Sequence, residues 1–246
     1  MPPLPVLDAV LPRLRRWRVG IAAVITCVLS GCGGAGGADP QAAPMAPGTW
    51  VVLGSSTAAG AGATAGQGWV ARLAEQERLR GVHILNFAKG GLTTYAALPT
   101  GTAVPAGRPL PDPEANVTAA LSHRPHWVLV AFPNNDTALG YAAEETVANL
   151  LRIRAAAREQ GVGVLVLSSQ PRNMPADRRA RLAQIDQQLS ANAGPCFVAV
   201  HNLLATSDGL LHPLYDAGDG VHLNNAGHAV VLQQVRAVID GGGCRR

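Results

Sequence analysis

Aromatic residues are scarce in this 246-residue chain, 4% Phe, Trp and Tyr together, and cysteine occurs only four times. No segment recurs at a fixed period and no heptad pattern is sustained, which excludes a solenoid and a coiled coil. The longest apolar run near the N-terminus, Val19–Leu29, is too short to cross a bilayer. Gly-x-Ser-x-Gly is absent, so the nucleophile turn of an α/β-hydrolase is missing. Apart from one Asp/His pair near the C-terminus, no His, Cys or carboxylate cluster shows metal-ligand spacing, and neither metal nor cofactor is expected.

What is present begins with charge. The formal net charge is +4, but Arg13, Arg15, Arg16 and Arg18 stand against Asp8 alone in the first 31 residues, which hold most of that excess. The basic balance is therefore a targeting signature, and no nucleic-acid partner is implied. A basic stretch, an apolar run and then Leu29-Ser30-Gly31-Cys32 resemble the leader and lipobox of bacterial lipoproteins. That resemblance implies a leader over 1–31, diacylation of Cys32 and a membrane partner reached through the lipid anchor; an ordinary leader with an incidental cysteine is the alternative. Residues 32–48 are rich in Gly, Ala and Pro and read as a flexible tether, followed by one folded domain over 49–246. Gly33 after the cysteine, rather than aspartate, points to the outer membrane or periplasmic side of a double-membraned cell. Cys196 and Cys244 remain in the exported domain, where they form a disulfide or stay as two small buried thiols.

Within that domain, short β-rich runs alternate with helical patterns. Strands are expected at Thr49–Leu53, Val82–Ala88, His126–Ala131, Val162–Leu167 and Cys196–His201. Helices are expected near Trp69–Leu79, Ala115–Leu121, Ala142–Gln160, Pro175–Ala193 and Asn225–Ile239. The near-continuous apolar strands fit a sheet covered on both faces. This alternation predicts an α/β fold, a flavodoxin-like three-layer α/β/α sandwich with a five-stranded parallel sheet and ligands beyond the strands' carboxyl ends. Leu98–Glu114, with five prolines, cannot be regular structure; it either walls the pocket or forms a surface excursion.

Four stretches fall just beyond strands or before the last helix. Gly54-Ser55-Ser56-Thr57-Ala58-Ala59-Gly60 follows the first strand; it lacks the Gly-x-Gly-x-x-Gly of a dinucleotide loop, and alone it reads equally as a helix-capping turn. Asn86 to Thr94 carries the paired Gly90-Gly91, whose N–H groups can face a ligand. Pro133-Asn134-Asn135-Asp136 offers side-chain amides, or a plain Asx turn. Asp219-Gly220-Val221-His222-Leu223-Asn224-Asn225-Ala226-Gly227-His228 places an acid and an imidazole three residues apart, as a catalytic pair or a structural salt bridge.

In this order and on these elements, the four stretches resemble the sequence blocks of the SGNH (GDSL-type) hydrolase family, over the whole span from Thr49 to the last helix. The resemblance implies Ser56 as nucleophile, His222 as general base and then acid, and Asp219 as its orienter. It implies an oxyanion hole from the N–H groups of Ser56 and Gly91 and the side-chain amide of Asn135. The chain departs from the family's Gly-Asp-Ser-Leu at Ser55 and Thr57, and Pro133 replaces a glycine. Ser55 raises a question of register: the spacing to Gly60 favours Ser56, with Ser55 as the alternative nucleophile. The implied activity is a serine esterase acting on a small acyl-ester substrate through an acyl-serine intermediate. A carbohydrate O-acetylesterase with a polysaccharide partner is the leading version. A lysophospholipase or thioesterase, or a lipoprotein that keeps the fold only to bind, are the alternatives.

Overall fold

The computed structural model describes residues 45–132 and 134–245. The expected leader over 1–31, Cys32, most of the tether and Pro133 lie outside the described residues. Five strands, β1 (Gly48–Gly54), β2 (Val82–Asn86), β3 (Trp127–Ala131), β4 (Gly163–Leu167) and β5 (Phe197–Val198), form one parallel sheet in the order β2-β1-β3-β4-β5. The register sets Val51 beside Leu85 on one side and Val128 on the other, and pairs Leu129 with Leu165.

Because side chains alternate across a strand, an unbroken apolar strand loads both faces of the sheet. Trp50, Val52, Trp127, Leu129, Leu165 and Val198 pack into one core, and Val51, Leu53, Val128, Val130, Val164 and Val166 into the other. The first core is closed by α2 (Trp69–Arg78) and α8 (Asn225–Asp240), through Trp69, Leu73, Val231 and Val235. The second is closed by α3 (Val117–Ser122), α5 (Ala143–Arg158) and α6 (Ala176–Ala193), through Val117, Leu150, Ile153, Ile185 and Leu189. The result is the expected three-layer α/β/α sandwich. Among the described residues three further α-helices of four residues each, α1 (Ser56–Ala59), α4 (Asn135–Ala138) and α7 (His201–Leu204), are too short to leave a periodic trace in the sequence.

Most expected boundaries shift by one or two residues, and three move for a visible reason. The last strand shrinks from Cys196–His201 to Phe197–Val198, with Cys196 in a 3₁₀ turn (Gly194–Cys196) and His201 opening a helix. The Ser168 hydroxyl captures the N–H groups of Val200 (2.8 Å) and His201 (3.2 Å), which takes those donors out of the ladder. The second strand ends at Asn86, whose side chain accepts from the Ala88 N–H (3.1 Å) and donates to the Ala58 carbonyl (2.9 Å). The tether does not reach residue 48: Met45 is buried in the first core, and Trp50 Nε1 donates to the Ala46 carbonyl at 3.0 Å.

Cys196 and Cys244 are joined as a disulfide, with Cα atoms 4.7 Å apart. It ties the turn before β5 to the tail after α8 and closes the short edge of the sheet.

The same edge holds a largely enclosed carboxylate. Asp186 on α6 accepts the Ser169 N–H (2.7 Å), and burial pushes its pKa up to about 7. The folded chain thus holds a proton there that the unfolded chain, titrating near the ordinary value of about 4, has released. Its charged form opposes folding, so stability falls as pH rises from about 4 to 7. Asp186→Asn should therefore melt near the wild-type temperature at pH 4 and progressively above it up to pH 7, with a constant gap beyond. Melting curves from pH 4 to 9 that show a constant or shrinking gap would refute this.

Candidate active site

The four stretches all emerge at the carboxyl end of the sheet. Ser56 opens the short helix α1 (Ser56–Ala59) directly after β1, and His222 comes from the turn before α8. Ser56 Oγ lies 3.1 Å from His222 Nε2, and His222 Nδ1 lies 2.6 Å from Asp219 Oδ2. A carboxylate can only accept, so Nδ1 carries the proton and Nε2 presents its lone pair to the serine hydroxyl. His222 is partly exposed and Asp219 half exposed, so the pair faces solvent.

The turn that carries the pair is built from carboxylate-to-backbone hydrogen bonds. Asp219 Oδ1 accepts the N–H groups of Val221 (2.9 Å) and His222 (2.8 Å). The His222 N–H bond is the largest influence holding the Asp219 carboxyl down at about 2, so it stays ionised wherever an imidazole can be neutral. One layer deeper, Asp216 Oδ1 accepts from Gly218, Asp219 and Gly220 at 2.8 to 3.1 Å. Gly220 adopts φ +68, and a Cβ there would sit 2.5 Å from Asn173 Nδ2, so both conformation and space demand glycine. Asp216 was not singled out in the sequence, although an acid ahead of Ala-Gly-Asp-Gly is an Asx-turn signal.

The turn after β1 settles which serine is presented. A Cβ on Gly54 would meet the Ala58 Cβ at 2.7 Å and the Ala131 carbonyl at 2.8 Å, so α1 packs directly on the strand end. Ser55 is fully buried, with its hydroxyl turned inward and without a hydrogen-bond partner, and its N–H donates to the Ala131 carbonyl at 3.2 Å. Of the two serines, only Ser56 reaches the imidazole.

The two other expected donors come from the loops that follow β2 and β3. Gly91 follows β2 with φ +80, and a Cβ on it would meet open space. Asn135 begins α4 (Asn135–Ala138) after β3, and its Nδ2 donates to the Leu92 carbonyl at 2.8 Å, which brings the Gly91 and Asn135 loops together. Beneath them Asp136 is buried and accepts from both the N–H and the hydroxyl of Thr94, while Asn149 donates to that hydroxyl at 3.0 Å. Burial raises the Asp136 pKa, with the Thr94 bonds opposing it. The proline-rich segment 98–114 is irregular, as expected. Arg108 makes two 2.8 Å bonds to Glu145 and stacks 3.8 Å over the Tyr141 ring, while Asp112 and Glu114 bind Lys89, two residues before Gly91. The segment is thus pinned to α5 and to the base of the Gly91 loop.

The remaining histidines divide. His228, the last residue of the fourth stretch, is fully buried. Its Nδ1 accepts the Trp69 N–H (3.2 Å), so Nε2 carries the proton and donates to the Ala61 carbonyl (3.0 Å). Burial lowers its pKa, and as a neutral strut it fastens the loop after Ser56 to α8. His201 has no acid beside it in the sequence. Folding nevertheless sets its Nδ1 3.9 Å from Asp186 and 3.3 Å from the Ser169 hydroxyl, at the edge of a cavity of about 540 Å³ on the β5 side.

Known proteins resemble the chain in sequence and in fold. The family of GDSL-like lipases/acylhydrolases matches residues 52–230. Among solved structures, TesA is similar at 22% identity and TM-score 0.57, over 77% of this chain and 97% of that one. A psychrotrophic esterase, EstA from Pseudoalteromonas sp., is similar at 17% identity and TM-score 0.57, over 78% and 96%. A GDSL-like lipase from Bacteroides thetaiotaomicron is similar at 18% and 0.54, over 78% and 87%. No curated protein matches the chain. A family match across most of the folded domain, on a parallel sheet in the order β2-β1-β3-β4-β5, makes the chain a member of the GDSL-like lipase/acylhydrolase family, an ester hydrolase.

Proposed function

We propose that the chain is a serine esterase that works through an acyl-serine intermediate, with Ser56 as nucleophile, His222 as proton carrier and Asp219 as its orienter. The observation that carries this reading is the unbroken chain Ser56 Oγ to His222 Nε2 (3.1 Å) and His222 Nδ1 to Asp219 (2.6 Å). As Oγ attacks the ester carbonyl carbon, its proton passes to Nε2, and the ionised Asp219 stabilises the imidazolium. The carbonyl π electrons move onto oxygen, which the N–H groups of Ser56 and Gly91 and the second N–H of the Asn135 amide stabilise. Collapse expels the alkoxide, which takes the proton from Nε2 and leaves as the alcohol. Water then repeats the sequence on the acyl-serine, releasing the acid and restoring Ser56.

Small acyl groups, including O-acetyl groups on carbohydrate, are the proposed substrates. The residues around the triad in sequence are mostly Ser, Thr, Ala, Gly and Asn, with few long apolar side chains to hold an alkyl tail. A lysophospholipase or thioesterase would be the longer-chain counterpart. A p-nitrophenyl ester series from acetate to palmitate separates them: kcat/KM should fall beyond about four acyl carbons. A maximum at long chains would overturn the small-acyl reading. In the same assay Ser56→Ala should lose at least about 1,000-fold in kcat, and Asp219→Asn about 100- to 10,000-fold. Full activity in Ser56→Ala would remove Ser56 as the nucleophile, whereas a well-folded wild type inert toward every ester would leave a binding lipoprotein instead.

The lipobox-like Leu29-Ser30-Gly31-Cys32 supports anchoring of the enzyme in the cell envelope by a lipid on Cys32. In a bacterial host fed radiolabelled palmitate, wild type should incorporate label and Cys32→Ala should not; label retained by Cys32→Ala would exclude that attachment site.

A further inference from the structure

Every catalytic stretch described so far comes from β1, β2, β3 or the turn before α8. The end of β4 contributes nothing that the reaction uses directly, yet Gln170, three residues beyond it, is nearly inaccessible to solvent. Its Oε1 accepts from the Thr57 hydroxyl at 2.8 Å, its Nε2 donates to the Val221 carbonyl at 2.6 Å, and its backbone carbonyl accepts from Asn134 Nδ2 at 3.2 Å. The amide orientation is fixed by chemistry. A carbonyl cannot donate, so the group facing Val221 must be the NH₂, which leaves the oxygen for Thr57.

Each of these partners is the immediate neighbour of a reacting or oxyanion-binding residue. Thr57 follows Ser56, Val221 precedes His222 and Asn134 precedes Asn135. Thr57 and Val221 are 164 residues apart in the chain, and in the structure they meet on opposite ends of one primary amide. Apolar packing could hold these loops close, but it has no direction. Two hydrogen bonds through a planar amide fix both separation and orientation.

We propose that Gln170 is a positioning residue for the esterase reaction, holding the Ser56, Asn135 and His222 loops in register through Thr57, Asn134 and Val221. It does not touch the reacting atoms. Its effect is to keep the Ser56–His222 hydrogen bond and the Asn135 donor in reactive alignment, where small displacements cost large factors in rate. The inference rests on the Ser56–His222–Asp219 reading, and its test separates the two.

Gln170→Met keeps length and volume but removes both side-chain bonds. In the p-nitrophenyl acetate assay it should lower kcat about 10- to 100-fold while KM stays within about 3-fold, in protein that is folded by circular dichroism and cooperative melting. Gln170→Glu supplies a distinct signature. A protonated carboxyl can still accept from Thr57 and donate to Val221, whereas the ionised form turns an acceptor toward an acceptor. The groups within hydrogen-bonding reach of this side chain are the uncharged Thr57 hydroxyl and Val221 carbonyl, and the titratable groups on the turn that carries Val221 are Asp216, Asp219 and His222, whose contribution to the wild-type profile the ratio divides out. The activity of Gln170→Glu relative to wild type should therefore fall by about 10-fold or more between pH 6 and 9, while the Gln170→Met ratio stays flat. Thr57→Val, which cuts one bond without altering Gln170, should also lower kcat, Thr57→Ser should restore it, and adding Gln170→Met to Thr57→Val should cost less than the product of the two single losses. Wild-type rates in folded Gln170→Met and Thr57→Val, multiplicative losses in the double variant, or a flat pH ratio for Gln170→Glu would overturn the proposal. An inert wild type would instead strike at the triad reading itself.

Discussion

The hydrogen bond between Ser56 Oγ and His222 Nε2 joins residues 166 positions apart, and the architecture of the domain is largely what makes it possible. A hydroxyl and an imidazole cannot find each other at 3.1 Å unless the turns that carry them are independently rigid. Rigidity comes on the serine side from a helix packed against Gly54 and on the histidine side from two nested carboxylate turns, Asp219 within Asp216. Between them, His228 bolts the loop after Ser56 to α8 and Gln170 links the two turns from below.

The parallel sheet explains why these pieces converge. All five strands point the same way, so their connections to the covering helices begin at one edge, and short polar loops collect there. The two apolar cores take up all the side chains of β3 and β4 and most of those of β1, and leave backbone ends and small residues to build the site. This is also why its supporting interactions are mostly side chain to backbone. A carboxylate or amide that caps N–H groups in a tight turn costs little apolar packing and orients what the turn carries.

Much of this was legible in the sequence. Unbroken runs such as Val128–Ala131 and Val164–Leu167 fixed buried strands, and their alternation with helices fixed the sheet. Gly54 to Gly60 and Asp219 to His228 announced themselves because their residues adjoin each other in the chain. The choice of Ser56 over Ser55 rested on spacing, and the structure gives it a physical cause in the burial of Ser55. What stayed hidden was whatever depends on three dimensions alone. Ser168 shortening β5, Asn149 bracing Thr94, and Gln170 bridging three loops are single polar residues with no local pattern around them. His201 and Asp186 likewise gave no hint of each other, because a spacing of fifteen residues has meaning only once α6 and β5 are folded.

The central claim is that Ser56, and not its neighbour, is the nucleophile. A fluorophosphonate forms a covalent bond to an activated serine oxygen with loss of fluoride. Mass spectrometry of the peptide spanning residues 54–72 after such labelling gives a direct answer. The account predicts one phosphonyl adduct on Ser56, abolished in His222→Ala; an adduct on Ser55, or none on the folded protein, would contradict it.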